Sequence, residues 1–146
     1  MKKRILLIVL SVVLALSAFA FAGCQPEGQR DLAKVTVILG EETYNVETKA
    51  ETLHDLLIEM KEEGVISMYE FSGTDLTVYV TKIGELEVSE ANQYIALFHT
   101  IDDPVLQWLE GGTKTINGVE YFYSSAGVAV LPINDGAIYY FELATF

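Results

Sequence analysis

The chain has 146 residues, a formal net charge of −12 at neutral pH, 51% hydrophobic residues and one cysteine. That length suits one domain of ordinary size with its own core, and two would not fit comfortably. The charge argues against nucleic acid, since phosphate binding needs clustered cations and here Arg30, Lys34, Lys49, Lys61, Lys82 and Lys114 are scattered among carboxylates. With no cysteine after Cys24, no internal disulfide can form, and stability has to come from burial of Val, Ile, Leu, Tyr and Phe. The acidity reads as a solvated surface, or else as a surface that selects a cationic ligand or a divalent ion.

Residues 1–24 read as an export signal. Lys2, Lys3 and Arg4 precede an apolar run from Ile5, which ends at Phe21-Ala22-Gly23-Cys24. This segment resembles a bacterial lipoprotein signal, in which the cysteine after small residues receives lipid, although Phe21 stands where an aliphatic residue is usual. Residues 25–33 follow as a polar tether beginning Gln25-Pro26-Glu27-Gly28-Gln29. Two other readings stay open. Ala18-Phe19-Ala20 and Ala20-Phe21-Ala22 both fit a conventional A-x-A cleavage site, and Ile5 to Ala22 is long enough for an uncleaved membrane helix. All three place the rest of the chain outside the cytoplasmic membrane, and the first makes the membrane a partner through lipid on Cys24.

Residues 34–146 are expected to form the domain. Val35, Val37 and Leu39 alternate along a first strand, Lys34–Leu39, and Gly40-Glu41-Glu42 turns the chain into a second, Thr43–Thr48. Thr52 is placed to cap a helix, with Asp55 three residues on as its acidic partner. Leu53, Leu56, Leu57 and Met60 recur at helical spacing, which predicts a helix from Leu53 to Glu63 stopped at Gly64. Strands are then expected at Leu76–Val80, Gln93–Phe98, Val119–Tyr123 and Ala137–Leu143. Between Phe98 and Val119, Ile101 to Lys114 reads as an excursion from the sheet with room for a short helix at Val105 to Leu109. The sum is an α+β, β-grasp-like mixed sheet packed on one main helix.

The order of several short segments carries a family resemblance. After the hairpin come Ala50-Glu51-Thr52-Leu53 with Leu56-Leu57, Tyr94-Ile95-Ala96-Leu97-Phe98, Ala126-Gly127-Val128, and Leu131-Pro132-Ile133-Asn134-Asp135-Gly136 before a Tyr-rich last strand. From Lys34 to Leu143 the chain resembles the transcobalamin-like C-terminal domain family, which in bacteria is mostly a domain of unknown function on lipoproteins and surface proteins. It departs from the family at Ile95, where Trp is common, and at Gly136-Ala137, where Gly-Asp is common. The resemblance implies binding rather than catalysis. In the animal cobalamin carriers a domain of this kind is similar to a lid over the corrinoid, so cobalamin is a candidate ligand here, though a single domain of this size would cover one face of it without enclosing it.

A search for reaction chemistry points the same way. The sequence holds no Gly-rich phosphate loop, no G-x-S-x-G elbow and no paired-cysteine metal motif. His99 with Asp102 or Asp103 could be drawn as a metal or acid–base cluster, but no third ligand stands at a suitable spacing. Ser124 and Ser125 read as small residues at a turn before they read as nucleophiles. No catalytic residue, cofactor or metal is therefore assigned, and the chain is read as a non-enzyme. The rings are the better functional signal. Tyr121-Phe122-Tyr123 and Tyr139-Tyr140-Phe141 send large side chains to both faces of the sheet, and only one face packs on the helix. The second face reads either as cross-strand packing or as a platform with Trp108 as a movable cover. The expected ligand site is Tyr94, Phe98, Trp108, Tyr121, Tyr123 and Tyr139, and its occupant a small organic ligand, with an envelope protein partner as the alternative.

Overall fold

In strand β1 (Ala33–Leu39) the alternating Val35, Val37 and Leu39 are all buried, so the period of two in the sequence becomes one buried edge of the core. The computed structural model describes residues 31–74, 78–108 and 110–146. The export segment, Cys24 and residues 25–30 of the tether lie outside the described residues, as do Leu76, Thr77 and Leu109. Leu32–Phe146 is one compact unit of mixed α and β structure.

Strand β2 (Glu42–Thr48) pairs antiparallel with β1 in register from Ala33↔Thr48 to Leu39↔Glu42, so it begins one residue before the expected position. Helix α1 (Leu53–Glu62) starts where the sequence places it. The Thr52 hydroxyl accepts from the Asp55 N–H (3.2 Å) and donates to the Asp55 carboxylate (2.7 Å), which occupies one of the free donors of the first turn. Glu63 closes the helix, and Gly64 at φ 72° takes the left-handed position that a side chain would resist. Leu53, Leu56, Leu57 and Met60 are the buried residues of α1, one stripe as their spacing requires.

The remaining strands are β3 (Tyr69–Ser72), β4 (Tyr79–Ile83), β5 (Leu86–Glu87), β6 (Gln93–His99), β7 (Thr113–Ile116), β8 (Val119–Tyr123) and β9 (Ile138–Thr145). Six of the nine strands among the described residues form a sheet in the order β2-β1-β9-β6-β8-β7, and β3-β4-β5 form a second, smaller sheet. In the larger sheet β9 runs parallel to β1 and antiparallel to β6. One main core joins Val37, Tyr139 and Phe141 of that sheet, the buried stripe of α1, Ile66 of the turn after α1, and Tyr69 and Ile83 of the smaller sheet. A second cluster, centred on Ala96, Phe98 and Tyr121, lies on the opposite, outer face.

Strands β3, β5 and β7 were not expected. A shift in register between Glu70 and Phe71 interrupts β3, β5 has two residues, and β7 is the polar edge sequence Thr-Lys-Thr-Ile, so none shows a clean apolar alternation. The excursion is accordingly shorter than Ile101 to Lys114. No helix forms over its described residues at 105–108; instead Gln107 bridges Ser124 and the Trp108 N–H donates to the Tyr123 carbonyl at 2.8 Å. Asp102-Asp103-Pro104 favours a turn there, and the strand end of β8 offers the partners that a helix would otherwise supply. No described helix is long and apolar enough to cross a membrane.

Candidate functional site

Register decides which rings meet. Phe98 on β6 lies opposite Tyr123 on β8 and Tyr140 on β9, so the three side chains share the outer face. Ring contacts link them to the excursion: Trp108 meets Tyr123 edge-on at 5.2 Å, Tyr123 meets Phe98 at 4.8 Å, Phe98 meets Tyr140 at 5.9 Å, and Tyr140 meets Tyr121 at 5.7 Å. Tyr94 joins the same cluster and stacks on Phe146 at 4.7 Å. Five of the six expected site residues, Tyr94, Phe98, Trp108, Tyr121 and Tyr123, therefore belong to one face and its margin.

Tyr139 does not. It is fully buried on the inner face, where its hydroxyl donates to the Pro132 carbonyl (2.7 Å) and accepts from the Asn134 N–H (3.2 Å). Burial pushes its phenol up to about 12, with the Asn134 hydrogen bond opposing the shift. The alternation along β9 puts Tyr139 with Phe141 in the core and hands the outer position to Tyr140, which the sequence reading missed. Knowing that Phe141 is a core residue would have settled the choice, since i and i+2 share a face.

The outer face is also less open than a bare platform. Phe98 and Tyr121 are buried, whereas Trp108 is 47% exposed, so a ligand reaching this end would touch Trp108 and the half-buried Tyr94 and Tyr123 before the rings beneath. Trp108 is seated against Gly111: a Cβ at that glycine would come within 2.8 Å of the indole and 3.0 Å of Tyr123. Any side chain at position 111 must displace the indole, which makes Gly111 the residue that sets how closely Trp108 lies on the sheet.

Two charged residues complete the face. Lys114 of β7 forms an ion pair with Glu142 of β9, and its ammonium sits 5.5 Å from the Phe98 ring centroid and 5.3 Å from that of Tyr140. The Tyr140 hydroxyl donates to the same carboxylate at 2.9 Å. Burial, then the hydrogen bond and charge of Glu142, push the Tyr140 phenol up to about 12. Burial likewise raises Tyr121, and burial with the hydrogen bond to Tyr94 raises Tyr123. These phenols are therefore neutral donors and acceptors near neutral pH.

The residues considered for reaction chemistry are already engaged. His99 is fully buried; one ring nitrogen lies 2.9 Å from the Leu106 carbonyl and the other accepts the Ile101 N–H at 3.2 Å. That pairing makes His99 the pin that holds the start of the excursion to β6. Asp102 accepts from the Gln107 amide at 3.3 Å and Asp103 from the Val105 N–H at 2.9 Å. The hydroxyls of Ser124 and Ser125 donate to the carbonyls of Ala126 and Val105. Among the described residues, no group of three or more His, Cys, Asp or Glu side chains could hold a metal ion.

No protein-family model matches the chain, and no curated protein matches it. Among solved structures, one from Ruminococcus gnavus ATCC 29149, provisionally described as a metal-binding protein, is similar to it at 16% identity and a TM-score of 0.49, over 80% of this chain and 99% of that one.

Proposed function

We propose that this chain is an extracytoplasmic lipoprotein, held to the membrane by lipid on Cys24, whose single domain binds a small organic ligand without transforming it. The observation that carries the proposal is the line of ring contacts from the half-exposed Trp108 through Tyr123 to Phe98 on a sheet face that does not serve the main core. Neutral phenols with apolar bodies bind organic molecules without needing opposite charge. The non-catalytic part of the reading is supported by His99, Ser124 and Ser125, whose side-chain polar atoms are taken up by backbone groups. A β-grasp-like description of the fold is supported by the hairpin, the following helix and the return of β9 parallel to β1. The resemblance to the transcobalamin-like C-terminal domain family rests on the same order of segments, and it keeps cobalamin as the first ligand to try.

Trp108 is the sole tryptophan, so the test has a built-in reporter. Titration with cobalamin, corrected for its absorbance, is expected to change Trp108 fluorescence in a saturable way. Trp108→Ala should weaken binding about tenfold, as loss of an aromatic contact residue does, and leave the melting temperature nearly unchanged. An unfolded variant, together with fluorescence indifferent to cobalamin and to other organic candidates, would make Trp108 a structural plug and remove the main support. The anchor is tested separately. Cys24→Ser is expected to release the protein from membranes or leave its precursor unprocessed, and a Ser variant that is cleaved normally yet stays on the membrane contradicts lipidation.

The second reading is an envelope adapter that binds a protein. It is favoured by Val105, 81% exposed on the excursion that carries Trp108, an apolar pair suited to a protein partner. Native mass spectrometry of the domain from its own host separates the two, since a retained small molecule and a co-purifying chain differ in mass.

A further inference from the structure

The outer face holds a second feature, away from Trp108. Between the turn of the β1–β2 hairpin and the tip of the β7–β8 hairpin lies an open cavity of about 410 Å³. That is within the size of small-molecule sites. Tyr121 and Tyr140 contribute aromatic surface, Ile38, Ile116 and Val119 add apolar surface, and Glu41 is its single charged lining residue. Among the described residues, no lysine, arginine or histidine lines it.

From this lining we infer a binding site for a small organic cation, an alkylated ammonium whose charge is carried on an apolar body. The protein uses the same chemistry next door. Lys114 places its ammonium near the Phe98 and Tyr140 rings and neutralises it with Glu142, which demonstrates that rings of this face and a carboxylate accommodate a cation. In the cavity the corresponding parts are Tyr121, Tyr140 and Glu41; Lys114 lies near the Tyr140 ring but is not among the lining residues. Because Lys114 is paired with Glu142, it offers little net positive charge against an incoming ammonium. The chain's −12 charge adds a long-range attraction for cations. An anion would meet the Glu41 carboxylate, and a neutral ligand would forgo its attraction. The site needs neither the lipid anchor nor Trp108, so it stands apart from the proposed function.

The probe is choline, compared with 3,3-dimethylbutan-1-ol, which has the same shape without the charge. Titrations followed by NMR on the labelled domain are expected to show saturable shifts at Ile38, Ile116, Val119, Tyr121 and Tyr140, with the alcohol binding at least about tenfold more weakly. Ile116→Lys, which puts a tethered ammonium at the cavity, should abolish choline binding while leaving the spectrum of the rest of the domain intact. Glu41→Gln should weaken it about two- to fivefold, as expected for an exposed carboxylate. Trp108→Ala should leave it unchanged, which distinguishes failure here from failure of the ligand site at the Trp108 end. Equal binding of choline and the alcohol overturns the inference, as does undiminished choline binding in folded Ile116→Lys or the absence of saturable shifts.

Discussion

Tyr139→Ala is expected to destabilise the domain by about 3–5 kcal/mol, the range for removing a large ring from a fully packed core. The ring has no exposed surface, and its hydroxyl bridges the Pro132 carbonyl and the Asn134 N–H, so truncation empties a volume and strands two backbone groups. Tyr139→Phe keeps the volume and isolates the second part, for which about 1–3 kcal/mol is expected. Urea unfolding measures both; a cost below about 0.5 kcal/mol for Tyr139→Ala would place the ring on the surface and undo the assignment of faces along β9. The phenol adds a dependence on pH. Because its value is raised to about 12 in the folded chain from 10 when exposed, its contribution is complete below pH 10 and is lost as pH rises toward 12. Tyr139→Phe should therefore unfold less steeply with pH across that window than the parent chain.

Leu57→Ala is expected to cost about 2–5 kcal/mol, since Leu57 is fully buried in the middle of the α1 stripe. The spread reflects how far the surroundings can close the hole. Leu57 shares its core with Val37 and Phe141 from the large sheet and with Ile83 from the small one, so a loss here should lower a single unfolding transition without dividing it in two. A change under about 0.5 kcal/mol, or an early transition confined to the helix, would contradict a shared core.

These two residues mark what the sequence makes legible and what it hides. The stripe of α1, its cap at Thr52, its stop at Gly64 and the inward face of β1 are all set by short-range periodicity and by backbone chemistry, and they appear where the residues place them. The faces of β9 are different. Tyr139-Tyr140-Phe141 is aromatic throughout, so nothing local separates inner from outer, and the answer comes from Phe98↔Tyr140, a pairing between residues far apart in the chain. Strand β7 could have been found, because Asn117-Gly118 at φ 52° and 81° is the signature of a tight hairpin turn joining it to β8. Its polar composition obscured it, and with it the Lys114–Glu142 pair that crosses from β7 to β9. The cavity between the two hairpin ends was out of reach for the same reason, since it exists only once β7 is in the sheet.

The parallel pairing of β1 with β9 has a mechanical consequence. Thr36–Leu39 run alongside Ile138–Phe141 in the same direction, with β1 entered from Ala33 and β9 left at Thr145. A force drawing these two ends apart would slide the strands past one another, loading the hydrogen bonds between them together. In an antiparallel terminal pair the same pull would open the bonds one at a time. The domain is thus wired to resist stretching between its ends more strongly than its thermal stability alone would suggest.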